Sequence, residues 1–186
     1  DDGDTWTGPD TVSADPDGRI FCWDQRMAVD KSGGLVTFQW TYDRAELRYL
    51  DVHRKTSGDG GLTWSPAEAL GFADQPSHSA IVASDTKSAT GKILLAYVDR
   101  FGTKSIRARM SDGIHGSFNL ESDVEIYRHR ARGGSDDVST GELLGQMSEW
   151  SYGLPFAEML PDGNVMVVYY AGGDLALDIR YCRIEV

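Results

Sequence analysis

Cysteine is scarce in this 186-residue sequence: Cys22 and Cys182 lie near its opposite ends, too few for a disulfide framework. Free buried thiols are the expectation, with a closing disulfide as the alternative. Positive charge is also short, 18 Lys and Arg against 29 Asp and Glu, giving a net charge of -11. That balance disfavours broad attraction to nucleic acid or to anionic membrane surfaces, although a small basic pocket is compatible with it. No apolar run approaches the roughly 18 residues of a membrane-spanning helix, and no basic region followed by an apolar one opens the chain. The four histidines, His53, His78, His115 and His129, are scattered without metal-ligand spacing. There is no HExxH, no phosphate-binding glycine loop and no N-x-S/T acceptor. No metal or cofactor is therefore expected.

What is present suits an all-β domain. Apolar residues make up 40% of the chain and aromatics 10%, enough to build a core. Strand-like segments follow one another quickly, separated by Gly, Asp and Ser clusters. The pattern predicts strands at 19–29, 35–42, 49–55 and 64–70; at 79–83, 93–99, 105–110 and 124–127; and at 155–160, 165–170 and 179–186. Residues 130–144 are too polar for a core strand and read as a long loop.

One short stretch, "SGDGGLTWS" at 57–65, organises this list. Glycines flanking an Asp make a turn, because Gly accepts φ > 0 and the carboxylate takes backbone amides. Thr63 and Trp64 favour strands, and Trp64 is the expected apolar anchor of the hairpin. The unit recurs: "DDGDTWTGP" at the start aligns Asp1, Gly3, Thr5 and Trp6 with Asp59, Gly61, Thr63 and Trp64. A worn copy, "SDGIHGSF", keeps Ser111 and Phe118 at the spacing of Ser57 and Trp64. The anchors Trp6, Trp64 and Phe118 are 58 and 54 residues apart. Self-similarity at a period of about 50 residues with strand-like intervals points to propeller blades.

The complete pattern Ser57, Asp59, Gly61, Thr63 and Trp64 resembles the Asp box, or BNR repeat, of sialidases (neuraminidases) and related β-propellers, and the chain resembles a bacterial sialidase-like subgroup. In that family the box is a structural hairpin far from the active site, so Asp59 is expected to tie a turn and do no chemistry. The resemblance implies a sialidase-type propeller of about three four-stranded blades, at 19–70, 79–127 and 150–186, with 1–12 ending a preceding blade, out of a six-bladed ring. On that reading the chain is roughly the C-terminal half of a propeller, or two copies complete a ring. A half propeller would present strand edges and an apolar face that favour self-association.

Candidate site residues come from the residue pattern and from the resemblance together. "FCWDQR" sets Asp24 and Arg26 two apart on an otherwise apolar strand, hence on one face, either as a buried ion pair or as functional groups. "LLAYVDR" ends an apolar strand with Asp99 and Arg100. Sialidases carry an Arg at the equivalent place as one of three that grip the substrate carboxylate, a planar fork of donors matched to a carboxylate. Arg100 is thus the first candidate for that role and Arg26 the second. "SEWSYGLPFAEMLPDGNVMVVYY" resembles the family segment carrying the nucleophilic Tyr, which falls on Tyr152. The helper Glu of the family has no equivalent in "ADQPSHSAIV", which offers Asp74, Gln75 or His78. Glu149 is a substitute close to Tyr152, and Asp24 stands in for the family's acid/base Asp. Trp23, Trp40, Tyr42 and Trp150 are rim aromatics suited to sugar rings or to a core. The resemblance implies an exo-acting, retaining glycosidase that releases terminal sialic acid or a related sugar, secreted or periplasmic, with a glycan as partner. A non-catalytic carbohydrate-binding or scaffold propeller is the alternative.

Overall fold

The computed structural model describes residues 3–73, 75–76, 80–82, 91–130, 151–173 and 176–186. Among them are twelve strands and one short 3₁₀ turn, Leu120–Ser122. The strands are β1 (Ile20–Val29), β2 (Leu35–Asp43), β3 (Arg48–Ser57), β4 (Glu68–Ala69), β5 (Gln75–Pro76), β6 (Ala80–Val82), β7 (Lys92–Asp99), β8 (Ser105–Ser111), β9 (Val124–Arg128), β10 (Tyr152–Met159), β11 (Val165–Gly173) and β12 (Ala176–Ile184). They form three antiparallel sheets: β1-β2-β3-β4, then β5-β7-β8-β9 with β6 also on β7, then β10-β11-β12. The fold is all-β, as the alternating pattern predicts.

The sheets stack face to face, and each interface is filled by alternate residues of the facing strands. Between the first and second sheets lie Ala28, Val36, Phe38, Val52, Ile93, Leu95 and Tyr97, with Phe72 and Phe118 packed against them. Between the second and third lie Leu94, Ala96, Ala108, Ala157, Val165 and Val167, continuing into Val98, Ile106, Tyr152, Tyr169 and Ala171. β7 serves both interfaces, which explains its uninterrupted run of buried residues.

Two strands differ from expectation in an instructive way. The strand expected over 64–70 shrinks to Glu68–Ala69, because residues 58–65 are spent on the turn. There Asp59 accepts from Ser57 Oγ (2.8 Å), Thr63 N (2.9 Å) and Thr63 Oγ1 (2.5 Å), and Ser57 Oγ accepts from Gly61 N. The Thr63 hydroxyl and amide hold the Asp59 carboxyl down at about 2. Asp59 thus ties the turn. Trp64 belongs to none of the buried clusters: its indole N–H donates to the Gly61 carbonyl (3.0 Å), so the expected core anchor lies against its own loop. Trp6 repeats the bond, donating to Gly3 O (2.8 Å), and Gly3 and Gly61 share φ of 92° and 93°. In the worn copy the anchoring survives instead, since Phe118 packs on the core beside Phe38 and Phe72 and bridges back to Ser111.

Period-two alternation also fails at one place in β1. A bulge between Trp23 and Arg26 puts two residues, Asp24 and Gln25, opposite Gln39, and Asp24 takes the left-handed φ of 49°. β10 does the same between Gly153 and Phe156, with Leu154 at φ 43°. The strand expected at 155–160 accordingly begins at Tyr152. Cys22 and Cys182 are both free thiols; Cys22 is exposed rather than buried, because the face of β1 that carries it is open.

Candidate functional site

The register fixes one rim of the stacked sheets. The starts of β1 and β10, the ends of β2, β7 and β11 and the starts of β3 and β8 all lie there, while the turns at 30–34 and 160–164 and the Asp59 loop lie at the other. Four of the expected site residues, Trp23, Tyr42, Arg100 and Tyr152, reach the first rim.

Tyr152 opens β10 and is 5% exposed. Arg100 follows the last residue of β7; its Nη2 donates to the Tyr152 carbonyl (3.2 Å) and its guanidinium carbon stands 4.9 Å from the Tyr152 ring centroid. Arg100 also hydrogen-bonds the Tyr170 hydroxyl, whose pKa burial raises against the opposing effect of this guanidinium. The expected clamp and the expected nucleophile are therefore brought together. A cation on an aromatic face is worth about 0.5–2 kcal/mol, so this contact orders the Arg100 side chain.

Three residues missed in the sequence complete this cluster. His129 stacks on Tyr152 (4.9 Å, 18° between planes), and the Ser151 hydroxyl lies 3.2 Å from His129 Nε2. Tyr127 bridges Tyr152 and Tyr169, at 5.9 and 5.8 Å. A lone His in the polar run after β9 carries no spacing signal, which is why it escaped notice. Glu149, Trp150, Asp74 and His78 lie outside the described residues, and the side chain of Gln75 is likewise not described.

Asp24 and Arg26 form an ion pair on β1, across the bulge. Arg26 Nη1 also donates to the Gln25 carbonyl (3.2 Å). The pair is partly exposed, with side-chain exposures of 21% and 31%, which is more open than a fully buried lock between sheets.

The rim aromatics form a ladder. Trp23 stacks on Trp40 (5.2 Å) and faces Tyr42 (6.3 Å); Trp40 meets Tyr49 (4.2 Å), which meets Phe101 (5.4 Å). Trp40 and Tyr42 are buried, whereas Trp23 and Phe101 at the two ends are 39% and 43% exposed. Phe101 adjoins Arg100, so the ladder ends beside the Tyr152 cluster. Among the described residues no group of three or more His, Cys, Asp and Glu side chains is placed to hold a metal ion.

No family model and no curated protein matches the chain. Solved structures do. A protein of unknown function from Dyadobacter fermentans is similar over 94% of this chain at 22% identity with a TM-score of 0.60. An intramolecular trans-sialidase from Ruminococcus gnavus, solved in complex with oseltamivir carboxylate, is similar over 99% at 16% identity with a TM-score of 0.58. The chain spans 40% and 36% of those two proteins, less than half of either. At such identities the likeness concerns the fold alone: the chain has the all-β architecture of propeller proteins, three antiparallel sheets stacked face to face.

Proposed function

We propose that the chain forms part of a sialidase-like β-propeller glycosidase, its three sheets being three blades and its Asp59 loop an Asp box. The reaction is the exo-acting, retaining release of a terminal sialic acid or related acidic sugar. The observation that carries this reading is the seating of Arg100 against Tyr152 at the rim. Arg100 would hold the carboxylate of the sugar, and Tyr152 would attack the anomeric carbon, a neutral phenol approaching an anionic sugar without charge repulsion. Arg26 is the second cation proposed for the carboxylate, with Asp24 as the acid that protonates the leaving oxygen and Glu149 as the acceptor of the Tyr152 proton. Trp23, Tyr42 and Trp150 would flank the sugar. The fold shared with a trans-sialidase supports the reading at the level of architecture.

Hydrolysis of a fluorogenic sialoside tests it. Turnover is expected, with a loss of at least about 100-fold in Tyr152→Phe and an unchanged melting temperature. An unchanged rate in Tyr152→Phe overturns the assignment of the nucleophile.

A second reading, a non-catalytic carbohydrate-binding propeller, is favoured by one feature: Tyr152 is buried while Trp23, at the far end of the ladder, is open. Saturable sugar binding lost in Trp23→Ala, without turnover, is its signature.

A further inference from the structure

The rim cluster holds a pair of groups that cleavage of a glycoside does not use. Ser151 Oγ lies 3.2 Å from His129 Nε2 and 3.4 Å from Nδ1, across 22 residues of chain. A serine hydroxyl is too weak an acid to attack by itself, and an imidazole within hydrogen-bond reach is the base that makes it a nucleophile. Such bonds are often long until a substrate is bound. Both side chains are half-buried, so the pair is reachable from solvent yet partly shielded from it.

The imidazole is held from three directions. The backbone N–H of His129 donates to the Lys104 carbonyl (2.8 Å), the ring stacks on Tyr152 (4.9 Å, 18°), and Nδ1 lies 3.4 Å from the Tyr127 hydroxyl. A proton on Nδ1, donated to Tyr127, leaves Nε2 as the acceptor for Ser151. Tyr127 thereby takes the orienting place that a carboxylate has in Ser-His-Asp sites. Ser151 is fixed through its carbonyl, which accepts from Gly172 N (2.8 Å). Lys104, which anchors His129, has a left-handed φ of 54°, a conformation that costs energy for a residue with a Cβ and that gathers at functional sites. Arg100, on the same Tyr152 ring, brings a positive charge to the cluster.

We propose that Ser151 and His129 are the nucleophile and the base of an esterase site that removes a short acyl group, such as acetyl, from a sugar hydroxyl. Nε2 takes the Ser151 proton as Oγ bonds to the ester carbonyl carbon, and the Arg100 guanidinium supplies charge for the oxyanion. The bond from that carbon to the sugar oxygen then breaks, and the sugar leaves with the proton from Nε2. Water attacks the acyl-serine, its proton passing through Nε2 to Oγ as the Oγ–acyl bond breaks, and the carboxylic acid departs. The acyl group is short because the rings of Tyr127 and Tyr152, 5.9 Å apart, crowd the imidazole. That the alcohol belongs to a sugar rests on the glycosidase proposed above; the ester chemistry does not.

The whole chain is treated with a fluorophosphonate and the modified residue located by peptide mass spectrometry. Hydrolysis of p-nitrophenyl acetate, p-nitrophenyl octanoate and an O-acetylated sialoside is followed in wild type, Ser151→Ala, His129→Gln, Tyr127→Phe and Tyr152→Phe. Capture is expected on Ser151, with ester turnover falling at least about 100-fold in Ser151→Ala and His129→Gln. Tyr127→Phe should lower kcat about tenfold at unchanged KM, the mark of a residue that orients the base. Ester turnover should persist in Tyr152→Phe, whose ring still stacks on His129 but which lacks the hydroxyl that glycoside cleavage needs, so the two activities fail separately. No capture on Ser151, or ester turnover unchanged in Ser151→Ala, overturns the site. Octanoate cleaved as fast as acetate overturns the short acyl group, and an O-acetyl sialoside left intact while p-nitrophenyl acetate is cleaved overturns the sugar. Capture needs no variant, so the test stands should His129→Gln fail to fold.

Discussion

The β1–β2 and β10–β11 hairpins are one backbone written twice, 130 residues apart. Trp23 pairs with Trp40 as Gly153 pairs with Tyr170, both first strands then bulge, and the left-handed residue is Asp24 in one and Leu154 in the other. The backbone bonds of the turns match: Asp30 N to Gly34 O and Leu160 N to Asn164 O are both 2.8 Å, and Gly33 and Gly163 have φ of 87° and 88°, while the Asp30 carboxylate adds bonds from Ser32 N and Gly34 N that Leu160 cannot accept. The chemistry differs at nearly every matched place. Tyr152 stands where the first hairpin has Cys22, and Leu154 and Phe156 stand where it has the Asp24–Arg26 pair. Backbone geometry is thus the common element, and each copy can carry its own functional groups.

The sharpest way to break this equivalence is burial. Phe38 and Val168 occupy the same register position, opposite Arg26 and Phe156. Phe38 is fully buried against the second sheet, whereas Val168 lies on a face that no other described sheet covers. Phe38→Ala should cost about 3–5 kcal/mol and Val168→Ala less than about 1 in denaturant unfolding. Equal losses would mean that the far face of the third sheet is covered in solution.

The turns should respond alike. Neither Gly33 nor Gly163 has an atom within 4 Å of a Cβ built on it, so a side chain meets only the backbone penalty of its left-handed conformation. Gly33→Val and Gly163→Val should each cost about 1–2 kcal/mol, within a few tenths of each other. Unequal costs would show that the turns, alike in backbone hydrogen bonds, differ in their side-chain bonds or surroundings.

The Asp59 loop offers a comparison in pH. Its carboxyl is held at about 2 in the folded chain against an ordinary 3.8, so its contribution is full above 3.8 and fades as pH falls through about 2. Asp59→Asn should therefore lower the melting temperature at pH 7 and converge on wild type near pH 2. A melting difference independent of pH would sink the assignment of the stabilisation to the ionised carboxylate.

Much of this was legible. Glycine and aspartate clusters marked the turns, alternation marked the strands, and Asp59 was readable as a tie because a carboxylate among glycines has amides within reach. Arg100 beside Tyr152 was readable only through the resemblance; neither residue has a local pattern of its own. The bulges were illegible, since a left-handed Leu154 contradicts the preference of its residue type and is imposed by the sheet around it. His129 meets Ser151 and Tyr152 across a chain separation that no spacing encodes. The half-hidden arginines of β8, Arg107 and Arg109, are a different matter: "SIRARMS" sets two charges two residues apart on a strand, the signal that singled out Asp24 and Arg26, and it applied there with equal force.

The smallest effect concerns the two left-handed residues themselves. Asp and Asn tolerate positive φ several-fold better than branched aliphatic residues, because the short polar side chain bonds locally. Leu154 is about half exposed and Asp24 is paired with Arg26, so the first hairpin has the residue suited to its bulge and the second does not. Leu154→Asn should therefore stabilise by up to about 1 kcal/mol, while Asp24→Leu should destabilise by a similar amount, the loss of a partly exposed ion pair adding at most about 1 kcal/mol more. Chemical denaturation of the two variants reads both signs. If Leu154→Asn destabilises instead, the contacts of Leu154 at the start of β10 outweigh its backbone strain. The bulge beside Tyr152 would then be held by side-chain packing, and Leu154 would join the residues that position the candidate nucleophile.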